Sequence, residues 1–120
     1  AKTGKQELLP GMILSNEPGY YKPGEYGIRI ENLIIVTEPQ DIAGGDKPML
    51  GFETLTLAPI DPRLIDTHLL TRRDLMTTTE VEWLDAYHAR VLAELSPLVE
   101  APVRPWLESA CAPLEHHERK

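Results

Sequence analysis

The spacing of apolar residues along the chain changes once, near residue 77. Before that point, three runs rich in β-branched and aromatic residues lie between Gly, Pro and Asp, a pattern typical of β-strands. They are GMILSNEPGYY (11–21), YGIRIENLIIV (26–36) and LGFETLTLAPI (50–60). The turn sequence Lys22-Pro23-Gly24-Glu25 joins the first two runs and predicts a hairpin.

From Thr77 onward the apolar residues recur at helical spacing and predict one amphipathic helix that ends near Pro97. Its apolar stripe consists of Val81, Leu84, His88, Val91, Leu92 and Leu95. A second, shorter helix is indicated by Val103, Trp106, Leu107, Ala110 and Leu114. The fold class predicted is therefore α+β within one domain, an antiparallel sheet followed by C-terminal helices. Its segments are 1–60, mainly strands, 61–76, a connection, and 77–120, a helical extension.

Composition narrows the possible partners and compartments. The 120 residues are 42% hydrophobic and 26% charged, as in an ordinary small globular domain. A net charge of −7 without a basic stripe argues against nucleic acid. No apolar run approaches the roughly 18–20 residues that span a bilayer, so no membrane partner is expected. The single cysteine, Cys111, cannot form an internal disulfide, and we expect a cytoplasmic protein.

Two carboxylates lie beside the most apolar runs and require an explanation. If residues 27–36 form one strand, Arg29 and Glu31 share a face, and aliphatic residues on both faces predict an inner strand. An ionised Glu31 buried there needs a compensating charge. Arg29 can supply it as a structural ion pair, and a bound metal ion is the alternative. This strand taken alone favours the ion pair.

Glu17 strengthens the alternative. It ends the first predicted strand just before Pro18, and a hairpin returns Glu31 to its neighbourhood. Two carboxylates a few ångströms apart repel unless a proton or a cation lies between them. The pattern therefore predicts either a general acid–base pair or a metal site, with Tyr21 and Arg29 as groups that orient the acids by hydrogen bonding.

The residues 11–33, GMILSNEPGYYKPGEYGIRIENL, resemble the C-terminal metal-binding segment of Xaa-Pro aminopeptidases (aminopeptidase P) among the pita-bread metallopeptidases. The resemblance continues through residues 52–61, 83–91 and 106–114, so it covers nearly the whole chain. The segment WLDAYH (83–88) favours the aminopeptidase P branch over prolidase. The fold that this implies is the C-terminal half of a pita-bread (creatinase/aminopeptidase-like) domain.

The resemblance also implies a site and a reaction. The family holds two divalent metal ions, usually Mn²⁺, with two Asp, one His and two Glu. Glu17 matches the ligand of one metal, Glu31 matches the ligand that bridges both, and Tyr21 and Arg29 match the residues that support them. Peptides with proline at the second position would be the substrates, and the bond preceding proline would be hydrolysed. We expect a homodimer or other homo-oligomer.

The chain departs from the family in one respect. The two Asp and the His ligands of the family precede the matching region, so we expect only the C-terminal portion of the catalytic domain here. We also expect the isolated chain to be inactive and its metal positions to be empty. Two alternatives remain open: a non-catalytic pita-bread scaffold or binding module, and a prolidase-like Xaa-Pro dipeptidase.

Other residues receive simpler interpretations. His88 lies on the apolar stripe, which predicts a hydrogen-bonded core histidine, and Cys111 is expected to pack. The aromatic residues Trp83, Tyr87 and Trp106 are expected to be core or subunit-contact residues. Glu53 is either a surface strand residue or part of the site, and the sequence leaves both open.

Overall fold

The computed structural model describes residues 4–65 and 78–114. The chain divides into two compact units, Ala1–Thr56 and Leu57–Lys120. The first unit contains the strands and the second contains the helices. Each unit is described by itself.

The first unit contains two small antiparallel sheets. The strands are β1 (Ile13–Asn16), β2 (Gly19–Lys22), β3 (Tyr26–Arg29), β4 (Asn32–Val36) and β5 (Phe52–Thr54). One sheet has the order β1-β4-β5, and β2 and β3 form the other. In the three-stranded sheet Ile13 pairs with Ile35, which in turn pairs with Glu53.

The predicted hairpin turn is confirmed between β2 and β3. Gly24 has a φ of 75°, in the left-handed region that glycine adopts without steric cost. The amide of Glu25 donates to the carbonyl of Lys22 at 3.1 Å, and the Lys22 Nζ lies 2.8 Å from Glu25 Oε1. The local sequence alone therefore fixes this reversal.

The single strand predicted over residues 27–36 is wrong, because β3 ends at Arg29 and β4 begins at Asn32. The first predicted run is also divided, at Glu17 and Pro18. Pro18 has no N–H to continue a ladder, although its carbonyl accepts a hydrogen bond from the Ile30 amide at 3.2 Å. The first and second predicted runs therefore each contribute one strand to each of the two sheets.

The prediction of an inner strand covered on both faces holds only in part. β4 is the central strand of its sheet, and Asn32 and Val36 are buried. Leu33 on the other face is exposed, and so is every residue of β3. Apolar character on both faces thus identified the central position of β4 but not the exposure of its second face.

The second unit contains α1 (Thr78–Leu95), α2 (Arg104–Ala110) and a 3₁₀ turn at Pro62–Leu64. The helical stripe predicted from the sequence is confirmed, since its residues are buried or partly buried. The buried core comprises Leu84, Tyr87, Val91, Leu107, Cys111 and Leu114. The predicted helix start at Thr77 lies outside the described residues. Across residues 4–65 and 78–114, no helix is long and apolar enough to cross a membrane.

Hydrogen bonds fasten the extended segment before the 3₁₀ turn to α1. The Tyr87 hydroxyl donates to the Ala58 carbonyl at 2.9 Å and accepts from the Ala58 amide at 3.3 Å. The Ile60 amide donates to Nε2 of the fully buried His88 at 3.0 Å. The prediction of a hydrogen-bonded core histidine is confirmed.

The three aromatic residues differ in their environments. Tyr87 is buried in the core, as predicted. Trp83 is about half exposed and stacks on Tyr87, with ring centroids 5.6 Å apart and planes 3° apart. Trp106 is 61% exposed, so the core interpretation is wrong for this residue. A subunit contact through Trp106 stays a prediction.

The helical core supports a stability prediction based on two leucines. Leu107 is 2% exposed and Leu98 is 78% exposed. Because truncation of Leu107 removes buried contacts and leaves a cavity, Leu107→Ala should lower the free energy of unfolding by about 2–5 kcal/mol. Leu98→Ala, the matched control, should change it by less than about 0.5 kcal/mol. Urea unfolding followed by circular dichroism measures both, and equal effects would contradict the assigned core.

The buried thiol supports a second prediction. Burial raises the pKa of the Cys111 thiol above its ordinary value. The folded protein therefore keeps the proton while the unfolded chain loses it, and stability should fall as the pH rises through about 8.5, the ordinary thiol pKa. The free energy of unfolding should change less with pH between about 7.5 and 9.5 in Cys111→Ala than in the unchanged protein.

The burial of Cys111 also predicts its reactivity. A thiol reagent should label Cys111 slowly in the native protein and rapidly in denaturant, and fast labelling of the native protein would contradict its burial.

Candidate metal site

Glu17 and Glu31 occupy equivalent positions at the ends of two paired strands. Glu17 follows β1 directly, and Glu31 directly precedes β4. The last registered pair of these strands is Asn16 with Asn32. One further step of the antiparallel register places Glu17 opposite Glu31, on the face that also carries Ser15 and Leu33. The division of the two runs therefore brings the two predicted site residues together.

Arg29 lies between the two carboxylates. Its Nε is 3.1 Å from Glu31 Oε2, and its Nη1 is 3.7 Å from Glu17 Oε2. The predicted ion pair between Arg29 and Glu31 is confirmed, and the same guanidinium also faces Glu17. A single positive group thus offsets the repulsion between two neighbouring acids.

Two further side chains, those of Ser15 and Tyr21, orient the glutamates and Arg29. Ser15 Oγ donates to Glu17 Oε1 at 2.6 Å. A hydrogen bond with Tyr21 is the largest of the causes that raise the pKa of Arg29, followed by the charge of Glu31; Glu17 adds a smaller effect. The structure therefore connects Tyr21, Arg29, Glu17 and Glu31, the four residues singled out in the sequence. Ser15 was missed, although its position two residues before Glu17 places both on one strand face.

The expected burial of the acids is wrong. The side chains of Glu17 and Glu31 are 47% and 41% exposed, and that of Arg29 is 50% exposed. Water therefore meets much of the charge, and the ion pairs contribute little to folding stability. The same exposure leaves the carboxylates open to a ligand from solution.

The chemistry available at this point is that of two convergent carboxylates. Carboxylate oxygens are the preferred ligands of hard divalent cations such as Mg²⁺ and Mn²⁺. Within residues 4–65 and 78–114, no three His, Cys, Asp or Glu side chains cluster as metal ligands would. The described residues thus bring two carboxylates together at one place.

Glu53 lies on the same face but farther along the sheet. It pairs with Ile35, four residues from Glu31. Four residues of strand span about 13 Å, which is too far for the two carboxylates to share one cation. Its position therefore favours a role outside the immediate site.

Comparison with known proteins identifies the family. Residues 48–114 match the C-terminal region of peptidase M24, and residues 1–38 match metallopeptidase family M24. The chain belongs to the M24 metallopeptidase family.

Relatives of this M24 chain extend over most of its length. A probable Xaa-Pro aminopeptidase P of Laccaria bicolor is 44% identical over 112 residues, which cover 89% of the chain and 16% of the relative. The corresponding protein of Fusarium vanettenii is 46% identical over 111 residues, or 90% of the chain and 17% of the relative. The M24 chain therefore spans only 16–17% of the length of these curated relatives.

A solved structure resembles the fold of this M24 chain. X-prolyl aminopeptidase from Caenorhabditis elegans, a cytosolic enzyme with a di-nuclear active site, matches with a TM-score of 0.75 and 34% identity. The match covers 93% of the M24 chain and 18% of the worm protein. The predicted α+β class and pita-bread fold are confirmed, as is the predicted resemblance to the Xaa-Pro aminopeptidases.

The arrangement around Arg29 predicts a spectroscopic response. Glu31→Gln removes the charge opposite Arg29 Nε at 3.1 Å, so the Arg29 Nε–H signal should shift and exchange faster with water. Glu25→Gln is the matched control, because Glu25 pairs with Lys22 in the same hairpin. ¹H–¹⁵N spectra of the arginine side chains measure both variants. An Arg29 signal that responds equally to both would contradict the assigned pairing.

Proposed function

We propose that this chain forms the C-terminal part of the catalytic domain of a Xaa-Pro aminopeptidase, which hydrolyses the N-terminal peptide bond preceding proline. In this proposal, residues 1–120 belong to one catalytic domain and contribute Glu17 and Glu31 to a site for two divalent metal ions. The observation that carries it is the convergence of these two glutamates on Arg29, within residues 1–38, which match metallopeptidase family M24. Peptides with proline at the second position are the proposed substrates.

The two glutamates fit a hard divalent cation. Arg29 contacts Oε2 of both residues, and Oε1 of Glu17 accepts a hydrogen bond from Ser15. Both side chains are about half exposed, and one guanidinium offsets only part of their combined negative charge. They can therefore also bind a metal ion. Glu17 and Glu31 would both help to hold the proposed pair of ions, with Mn²⁺ as the proposed metal. When bound, such ions acidify a water molecule and stabilise negative charge on the scissile carbonyl.

The contribution of the other residues is to keep the acids in place. Arg29 holds the two carboxylates at a common point and limits their repulsion. Tyr21 fixes the guanidinium by a hydrogen bond, and Ser15 fixes one oxygen of Glu17. Support of this kind restricts ligand rotation, and its loss in metal sites typically lowers affinity or activity about 10–100-fold.

The 120-residue chain by itself is proposed to be inactive. Two carboxylates leave most of the coordination of a cation to water, so the affinity should be low. The resemblance assigns two Asp and one His to a preceding segment, and the chain spans about one sixth of its curated relatives. We further propose a cytoplasmic location, consistent with the cytosolic worm relative, and a homodimer or other homo-oligomer.

A second candidate function is a non-catalytic scaffold or binding module of the same fold. The ion pairs of Arg29 with both glutamates favour it, since they give these acids a structural partner without a metal. A prolidase-like dipeptidase differs only in substrate length. Metal binding separates the first alternative from the peptidase, and substrate length separates the second.

Metal binding is tested on the chain itself. Addition of Mn²⁺ should broaden NMR signals around Glu17 and Glu31 selectively, because a paramagnetic ion relaxes nearby nuclei. Glu31→Gln should weaken this broadening, while Glu53→Gln, the matched control on the same face, should retain it. Broadening that is uniform along the chain, or unaffected by Glu31→Gln, would favour the scaffold.

Catalysis is tested in a full-length protein that contains this sequence. Wild-type protein loaded with Mn²⁺ should release the first residue of Xaa-Pro-Xaa tripeptides, and Glu31→Ala should abolish that activity. Arg29→Lys should reduce kcat/KM about 10–100-fold, because an ammonium lacks the planar fork that reaches both acids. Normal cleavage by Glu31→Ala would refute the assignment, and preference for Xaa-Pro dipeptides would favour the prolidase-like activity.

A further inference from the structure

Two glycines lie opposite the residues that support the site. In the β2–β3 hairpin, Tyr21 pairs with Gly27 and Arg29 pairs with Gly19. Directly opposed residues of an antiparallel pair share a face, and so do residues two apart on one strand. One face of the hairpin therefore consists of Tyr21, Arg29 and two positions without side chains.

The Tyr21 ring fills the space above both glycines. A Cβ at Gly27 would lie 2.8 Å from Tyr21 Cδ1 and 3.2 Å from Cε1. A Cβ at Gly19 would lie 2.8 Å from the Tyr21 hydroxyl oxygen and 3.0 Å from Cε2. Such contacts fall below ordinary van der Waals distances between heavy atoms, so any larger residue would displace the ring.

Backbone conformation does not explain these glycines. The positive φ angles among the described glycines belong to Gly11, Gly24 and Gly44. Gly19 and Gly27 lie in regular paired strands, where glycine is ordinarily unfavourable. The space required by the Tyr21 ring is therefore the reason that the structure provides.

The position of the ring determines where its hydroxyl lies. Tyr21 and Arg29 are diagonal neighbours, a separation that an aromatic side chain spans when it lies flat across the strands. Gly27 lies under one edge of the ring, and Gly19, next to Arg29, lies under the hydroxyl end. The hydroxyl thereby meets the guanidinium, which contacts Glu31 at 3.1 Å and Glu17 at 3.7 Å.

We propose that Gly19 and Gly27 are positioning residues, whose bare backbone seats Tyr21 so that its hydroxyl holds Arg29 between the two metal-binding glutamates. The role of this arrangement in metal binding rests on the proposed function. The position of the Tyr21 ring above the two glycines does not depend on a metal. Both glycines act on the carboxylates through Tyr21 and Arg29.

A purely structural role is the competing explanation. An aromatic ring that covers a strand glycine stabilises a sheet by packing, whatever its hydroxyl does. Tyr21→Phe keeps the ring and removes the hydroxyl, so it separates the two explanations. The matched control is Tyr20→Phe, because Tyr20 lies on the opposite face of the hairpin and contacts Tyr26, with ring centroids 6.2 Å apart.

Gly27→Ala is the decisive variant. A Cβ at Gly27 meets only the Tyr21 ring at short distance, its next neighbour being the Tyr20 carbonyl at an ordinary 3.8 Å, whereas a Cβ at Gly19 also meets the Ile28 carbonyl oxygen at 2.8 Å. Gly27→Ala should therefore release Arg29, seen as faster water exchange of its Nε–H signal, and weaken Mn²⁺ binding to the chain about tenfold. Because the ring also loses its packing on the strand, the melting temperature should fall modestly, and the Arg29 signal is compared at a temperature where both proteins are folded.

The hydroxyl variants complete the test. Tyr21→Phe should release Arg29 to the same extent, Tyr20→Phe should leave it unchanged, and Gly27→Ala should have no further effect in the Tyr21→Phe background. An Arg29 signal that is unaffected by Gly27→Ala or by Tyr21→Phe would overturn the proposal, and so would additive losses in the double variant. The Arg29 signal is measured without metal, so it tests the position of Tyr21 independently of metal binding. If Mn²⁺ fails to localise near Glu17 and Glu31 in wild-type protein, the proposed function is refuted. The proposed role of the two glycines in positioning Tyr21 would still be supported by the Arg29 signal.

Discussion

The contact of one guanidinium with two carboxylates is the interaction on which the candidate site depends. Without Arg29, Glu17 and Glu31 would face each other as like charges with no positive group between them. With it, both acids remain close together and about half exposed to solvent. Because exposed ion pairs add little to stability, this contact positions the two carboxylates and contributes little to holding the fold together.

Chain geometry creates this meeting point. Pro18 interrupts the first apolar run and the Ile30–Glu31 connection interrupts the second, so each run crosses from one sheet to the other at a glutamate. The register of β1 with β4 brings the two crossing points together, and the β2–β3 hairpin returns Arg29 to them. The acids thus lie at strand ends, where side chains can converge without interrupting a ladder.

Prediction from the sequence succeeded where the signal is local. The turn at Gly24 and the helical stripe around Leu84 and Val91 follow from short-range periodicity and turn chemistry, and the structure contains both. The continuous strand over residues 27–36 was wrong because alternation of side chains does not reveal where a strand changes sheets. The prediction that Glu31 is buried was wrong for a related reason, since apolar neighbours along a strand do not show which face of the sheet is covered.

The sequence by itself determined the residue types of the site, the family to which the chain belongs and the order of strands and helices. Only the tertiary structure showed that Arg29 serves two acids, that Ser15 fixes one of them, and that Gly19 and Gly27 make room for Tyr21. The physical reason is that these contacts join residues on different strands, so they depend on register and on space above the sheet. Neither register nor free space is encoded in the spacing of residues along one strand.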